Sequence, residues 1–80
     1  MYYVYIIENT SLRRYIGVTS NLEERLKKHN QSGTKWTKHK GPWYLLYKEE
    51  FNNKQDAMLR ERKIKSYKGG EAFKRLVSPA

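Results

Sequence analysis

The chain opens with an almost unbroken run of aromatic and β-branched residues, Tyr-Tyr-Val-Tyr-Ile-Ile, which begins at Tyr2. Such residues favour extended backbone, and an apolar run that does not alternate with polar residues is typical of a strand buried on both faces. The run therefore predicts a strand over residues 2–8. Because successive side chains alternate along a strand, Tyr3, Tyr5 and Ile7 share one face of it.

The rest of the chain predicts one further hairpin strand, a third strand and three helices. A turn-rich segment over residues 9–14 precedes strand character at 15–19, so the first two strands should form a hairpin in which Tyr5 and Tyr15 lie close together. Capping residues, periodicity and glycine stops set the later elements. These are a helix over residues 20–31 that begins with a capping box of Ser20 and Glu23, a loop over 34–42, a strand over 43–51, a helix over 54–66 capped by Asn52 or Asn53, and a helix over 71–77. The predicted fold is α+β, a small three-stranded sheet in β-β-α-β-α-α order flanked by helices.

Length and composition limit the class of protein further. The chain has 80 residues, which predicts a single domain over residues 1–80, because so short a chain buries a modest fraction of its surface. It has no cysteine, which excludes disulfides, thiolate nucleophiles and cysteine-based zinc sites. A signal-peptide pattern and a bilayer-spanning apolar segment are both absent from the sequence, so we expect a soluble, cytoplasmic protein.

The charge of the chain favours a polyanionic partner. Lysine and arginine number 17 against 8 acidic residues, which gives a net charge of +9. No acidic residue occurs between Arg25 and Lys48. Nucleic acid is favoured over an anionic membrane, because this basic stretch has no continuous amphipathic helix. The alternative is a solvated basic face that only aids solubility.

The predicted loop alternates cations with an aromatic ring. Lys35, Trp36, Lys38 and Lys40 are residue types that contact phosphates and stack on bases. Lys65, on the 54–66 helix, is a further candidate contact to nucleic acid. A polar loop with Trp36 packed on the core is the alternative interpretation.

Charged side chains occupy helix positions that should face inward. In the first predicted helix, four residues follow the i, i+3, i+4, i+7 spacing of a single face, namely Leu22, Arg25, Leu26 and His29. In the 54–66 helix, Glu61 lies on the face marked by Ala57 and Ile64. Ionised groups rarely leave water unless they are paired, bind a metal or take part in chemistry. These positions therefore predict a functional site.

The order of these residues resembles the GIY-YIG nuclease superfamily. Tyr3-Val4-Tyr5 stands where the first family motif ends in tyrosine, and Tyr15-Ile16-Gly17 matches the second motif. Arg25, His29 and Glu61 follow at the family's positions, so the resemblance covers nearly the whole chain. It is similar to the small stand-alone members related to the nuclease module of the excision-repair endonuclease. Two departures are Tyr3 in place of glycine, and Phe73 near the place where several relatives carry an asparagine.

The resemblance implies a metal-dependent endonuclease that hydrolyses phosphodiester bonds in DNA, with RNA as the other candidate substrate, low sequence specificity and a role in repair or recombination. Glu61 is implied to bind Mg²⁺ or Mn²⁺, and one carboxylate is enough because Mg²⁺ keeps most of its water shell. Arg25 can hold two phosphate oxygens at once. Tyr5 is implied to be the base or a proton relay, Tyr15 to hold water and phosphate, and His29 to take part in the proton path, although these three roles can be exchanged.

Each residue also has a structural interpretation when it is considered alone. Tyr5 and Tyr15 suit hairpin packing, and His29 suits a cation at a helix C-terminus. Arg25 can extend from the apolar stripe to solvent, and Glu61 can pair with the lysine four residues later. The corresponding alternative function is a non-catalytic nucleic-acid-binding module that recruits a repair factor. A protein-interaction domain without nucleic-acid binding would leave the charge and the inward ionised groups unexplained.

Overall fold

The computed structural model of the protein describes residues 1–31 and 42–78. Its elements are β1 (Tyr2–Asn9), β2 (Arg14–Thr19), α1 (Leu22–Gln31), β3 (Trp43–Phe51), α2 (Lys54–Ser66) and α3 (Glu71–Val77). They form a three-stranded antiparallel sheet with three helices, which confirms the predicted α+β class and element order. In the described ranges, no helix has both the length and the apolar character needed to cross a membrane.

The strand β1 is central, with β2 on one side and β3 on the other. This position explains why its apolar run is buried on both faces, as the sequence predicts: residues 4–7 are at most 1% exposed. The β1–β2 register places Tyr5 opposite Gly17 and Ile7 opposite Tyr15. The register with β3 shifts between Ile6 and Ile7, where the ladder is irregular.

Side-chain alternation along β1 divides the core between the two faces of the sheet. On the face that α2 and α3 cover, the buried residues are Val4, Ile6, Ala57, Ile64 and Phe73. On the other face, the buried residues are Tyr5, Ile7 and Trp43, and they pack against Tyr15, Leu22 and Leu26. Tyr5 therefore lies on the same side of the sheet as α1.

Asparagines cap both long helices. Asn21 accepts a hydrogen bond from the backbone N–H of Glu24 and donates its amide to the Glu24 carboxylate, each at 3.1 Å. The predicted capping box at Ser20 and Glu23 is therefore wrong by one residue, because serine and asparagine are equally good caps and the sequence does not decide between them. Asn53 caps α2 as predicted, and it accepts the N–H three residues later at 2.8 Å.

Candidate active site

The Tyr5 hydroxyl lies at the centre of the candidate active site. The side chain is 1% exposed, and its Oη atom lies 2.9 Å from Nε2 of His29 on α1. Gly17 makes room for this hydroxyl on the neighbouring strand. A β-carbon placed on Gly17 would lie 2.6 Å from Tyr5 Oη and 2.8 Å from Cζ, closer than such atoms approach. The glycine of the second motif thus allows the tyrosine of the first motif to reach across β2.

Tyr15 completes a cluster of three rings from β1, β2 and α1. Its ring centroid lies 6.2 Å from that of Tyr5, which confirms the predicted proximity of the two tyrosines, and 5.0 Å from that of His29. The rings of Tyr5 and His29 are 5.9 Å apart. Tyr15 is half-buried whereas the other two are buried, so it is the member of the cluster that reaches the surface.

The electrostatic surroundings of Tyr5 bring Arg25 and Glu61 into the same site. Burial raises the pKa of Tyr5 well above its ordinary value, and Tyr15 raises it further. The positive charge of Arg25 and a hydrogen bond from its side chain oppose this increase in pKa, whereas the negative charge of Glu61 adds to it. The net direction is upward, so the Tyr5 hydroxyl is protonated at neutral pH.

His29 is a neutral, buried partner of Tyr5 and not a solvent-facing cation. Its side chain is 2% exposed. Burial lowers the pKa of His29, and the positive charges of Arg25 and Lys28 lower it further. A neutral imidazole keeps one nitrogen as an acceptor, so Nε2 can accept the Tyr5 O–H. Burial outweighs the effect of the helix C-terminus, which would favour the charged form.

Glu61 lies at the edge of the inward face of α2. Ala57 and Ile64 are both 0% exposed, which confirms the predicted apolar face. The Glu61 side chain is 22% exposed, and its Oε2 atom lies 3.5 Å from Nζ of Lys65. The structural interpretation of Glu61 as half of an ion pair is therefore present in the structure, together with its proximity to Tyr5. Lys65, a predicted nucleic-acid contact, is 56% exposed and engaged by this pair.

The residues of the site fit a hydrated divalent ion held by one carboxylate. Within residues 1–31 and 42–78, no three His, Asp or Glu side chains come together as a group that could hold a metal. Mg²⁺ needs no such group, because it retains several waters and uses one or two carboxylates together with substrate phosphates. Zn²⁺ sites take about three or four protein ligands, which this arrangement does not offer.

Asn30, which no sequence pattern singles out, fixes the end of α1 that carries His29. Its side chain accepts the backbone N–H of Trp43 at 2.7 Å and donates to the carbonyl of the same residue at 3.2 Å. This pair of hydrogen bonds joins α1 to β3. An asparagine at the end of a helix predicts a turn or a cap, so no local pattern indicates this long-range contact. Gly17 belongs to the second motif, and the hairpin register is the signal that indicates its role.

Four of the five predicted nucleic-acid contacts fall in the segment between α1 and β3. Lys35, Trp36, Lys38 and Lys40 lie outside the described residues, and their role stays a prediction. The five residues assigned to catalysis and metal binding lie in the described part of the chain. These are Tyr5, Tyr15, Arg25, His29 and Glu61.

Comparison with known families defines the class of protein. Residues 1–73 match the family described as the GIY-YIG catalytic domain. The chain belongs to this family, which is a nuclease family. Its members act on nucleic acid and generally use a divalent metal, so the family and the single carboxylate at Glu61 are consistent with each other.

Within this class the chain is similar to small proteins named UPF0213. It is 47% identical over 66 residues to a UPF0213 protein of Clostridium perfringens, covering 81% of this chain and 71% of that protein. It is 39% identical over 74 residues to one of Staphylococcus haemolyticus, covering 91% and 90% of the two chains. The solution NMR structure of a UPF0213 protein from Bacillus halodurans matches with a TM-score of 0.59 and 32% identity, covering 99% of this chain and 89% of that one.

Proposed function

We propose that this protein is a divalent-metal-dependent endonuclease that hydrolyses phosphodiester bonds in DNA, with low sequence specificity and a role in DNA repair or recombination. The observation that carries the proposal is the position of the buried Tyr5 hydroxyl. It lies 2.9 Å from a neutral His29 and within electrostatic reach of Arg25 and Glu61. Packing of a hairpin alone requires neither the histidine nor the two opposite charges.

Arg25 is suited to stabilise the charge that develops during hydrolysis. When water attacks the phosphorus atom, a new P–O bond forms, the bond to the 3′ oxygen breaks, and negative charge grows on the phosphoryl and leaving oxygens. A guanidinium is permanently charged and can contact two of these oxygens at once. Because α1 is anchored at both ends, Arg25 needs little reorganisation to do so.

Tyr5 and His29 are suited to accept the proton of the attacking water. Because burial raises the pKa of Tyr5, its hydroxyl is not a resident phenolate base. It acts instead as a relay, taking a proton from water while it donates its own proton to Nε2 of His29. The lowered pKa of His29 keeps that nitrogen available. Tyr15, the half-buried ring of the cluster, orients the water and the phosphate.

Glu61 would hold the divalent cation, which supplies positive charge at the scissile phosphate and the leaving oxygen. Its partial burial favours this role, because a carboxylate beside a low-dielectric core interacts more strongly with a cation. Lys65 pairs with the same carboxylate at 3.5 Å. In the substrate complex, Lys65 can turn to a phosphate and leave Glu61 to the metal.

The ion pair also favours a second candidate function, a nucleic-acid-binding module that does not cleave. If Lys65 stays on Glu61, the carboxylate is neutralised and the site binds phosphates through cations alone. Both functions require DNA binding that weakens with salt, because phosphate contacts release counterions. Only the nuclease breaks strands.

Nicking of supercoiled plasmid in Mg²⁺ or Mn²⁺ tests the choice between the two functions. We expect the wild-type protein to nick the plasmid, and Glu61→Gln and Arg25→Ala to lower the rate by about 100-fold or more, as for other losses of a transition-state contact. Glu71→Gln is the matched control, because Glu71 is an exposed acid in the first turn of α3. It should nick at the wild-type rate.

Two results would reject the enzyme. One is the absence of nicking by the wild-type protein with either metal. The other is nicking at equal rates by wild type, Glu61→Gln and Arg25→Ala, which would indicate a contaminating nuclease. DNA binding that persists in the first case would support the non-catalytic module.

A further inference from the structure

A groove of about 240 Å³ lies where the β1–β2 loop meets the C-terminal end of α2. We refer to it as the loop groove. Its floor is apolar and consists of Ile16, Ile64 and Phe73, and its rim carries the cations Arg14, Lys65 and Lys68. The described residues that line it include no acidic side chain. An apolar floor with a cationic rim suits a ligand that is both flat and anionic.

Leu12 projects from the loop at the mouth of this groove. Its side chain is 71% exposed, and its backbone has φ 61, a left-handed conformation that residues with a β-carbon disfavour. Asn9 imposes this conformation: its buried Oδ1 accepts the N–H of Ser11 at 3.0 Å and of Arg13 at 2.9 Å. The loop is thus preorganised around a leucine that gains nothing from the fold, which indicates that the side chain serves another contact.

The cations of the rim are also held in place. Arg14 donates its Nε to the Glu8 carboxylate at 2.9 Å, and its guanidinium lies 5.1 Å from the centre of the Phe73 ring. A guanidinium has five N–H donors, and this hydrogen bond uses one of them. Lys68, opposite Leu12, has φ 51 and donates its backbone N–H to Lys65 at 3.3 Å.

We infer that the loop groove binds one unstacked nucleotide of the DNA strand, with the base against Leu12 and the flanking phosphates on Arg14 and Lys68. Apolar side chains that enter a base step, flanked by cations on phosphates, are a recurrent means of holding distorted DNA. The inference rests on the proposed function, because Lys65 connects the groove to Glu61. A strand that crosses the candidate active site would reach Leu12 within about one helical turn of α2.

The first test measures binding in EDTA, so that cleavage plays no part. The probe is a DNA duplex with one bulged 2-aminopurine, whose fluorescence rises when the base leaves the stack. We expect wild type to raise the fluorescence, and Leu12→Gly to abolish the rise and weaken Kd about 10-fold, the loss expected for one buried leucine contact. Glycine adopts φ 61 without strain, so Leu12→Gly should fold at least as stably as wild type.

Leu59→Ala is the matched control for Leu12. Leu59 is 62% exposed and lies on the face of α2 opposite Ala57 and Ile64, away from the groove. For charge, Lys68→Gln is compared with Lys63→Gln, an exposed lysine on that same opposite face. We expect Lys68→Gln to reduce the slope of log K against log salt by about one, as one lost phosphate contact does, and Lys63→Gln to leave it unchanged.

Unchanged fluorescence and Kd in both Leu12→Gly and Lys68→Gln would overturn the inference. A change of sedimentation mass in these variants without a change in DNA binding would also overturn it, because the groove would then bind a second copy of the chain. If wild type fails to nick plasmid but the variants weaken binding, the proposed function falls and the loop groove stands. Nicking by wild type with unaffected binding by both variants gives the opposite result.

Discussion

At the scale of single residues, Gly17 determines where the central hydroxyl lies. A methyl group there would lie 2.6 Å from Tyr5 Oη, so Gly17→Ala forces the tyrosine away from His29. We predict that Gly17→Ala lowers the nicking rate by at least about 10-fold and destabilises the fold by about 1–3 kcal/mol, as overpacking of a core does. Plasmid nicking and urea unfolding measure the two effects. Wild-type activity in a stably folded Gly17→Ala protein would show that the contact between Tyr5 and His29 is not required.

His29 gives the protein a specific dependence of stability on pH. In the folded chain its pKa lies below the ordinary value of 6.5, so the unfolded chain binds the proton more tightly. The stability that neutral His29 contributes is complete above about pH 6.5 and is lost as the pH falls toward the folded pKa. Activity should fall over the same range, because protonated Nε2 no longer accepts the Tyr5 proton.

Urea unfolding of wild type and His29→Gln between about pH 5 and pH 8 tests this prediction. We expect the free energy of unfolding of wild type to fall more steeply toward acid than that of the variant. Glutamine retains an acceptor for the Tyr5 hydroxyl, and His39 is common to both proteins, so its titration cancels. Equal slopes would contradict a neutral, buried His29.

At the scale of the elements, the position of α2 decides whether Glu61 belongs to the site. Arg60 donates its Nε to the Glu49 carboxylate at 3.1 Å, and Tyr47 donates its hydroxyl to the same oxygen at 2.8 Å. These bonds fix α2 against β3 while Ala57 packs on the sheet. The neighbouring Glu61 is thereby held at the edge of the sheet, close to Tyr5 but not buried beneath it.

The sequence predicts the elements better than it predicts the contacts between them. The bounds of β3, α2 and α3 agree with the prediction, because strong caps and glycine stops surround them. At α1, two adjacent residues can each cap the helix, and only the fold selects Asn21 over Ser20. Helical periodicity indicates that Glu61 faces inward, but its distance from Tyr5 depends on the bonds between α2 and β3. Such contacts join residues far apart in the sequence, where local patterns carry no information.

At the scale of the whole molecule, the sheet brings three separate elements to one place on its surface. The rings of Tyr5 and Tyr15 lie on the side of α1, and α2 supplies Glu61 from the other layer. A net charge of +9 surrounds this site. Such a charge attracts a polyanion from a distance, whereas the single carboxylate provides a local position for a cation. The proposed activity depends on these two features acting at the same place.

Paramagnetic broadening of the backbone amide NMR signals by Mn²⁺ tests that claim most directly, and it requires no cleavage. We predict that low concentrations of Mn²⁺ broaden first the signals around Glu61 on α2 and around Tyr5 and Tyr15 on the facing strands. Glu61→Gln should remove this broadening, and Glu71→Gln should retain it. Broadening confined to the exposed acids at the start of α1, or unchanged by Glu61→Gln, would contradict a metal-assisted site around the Tyr5 hydroxyl.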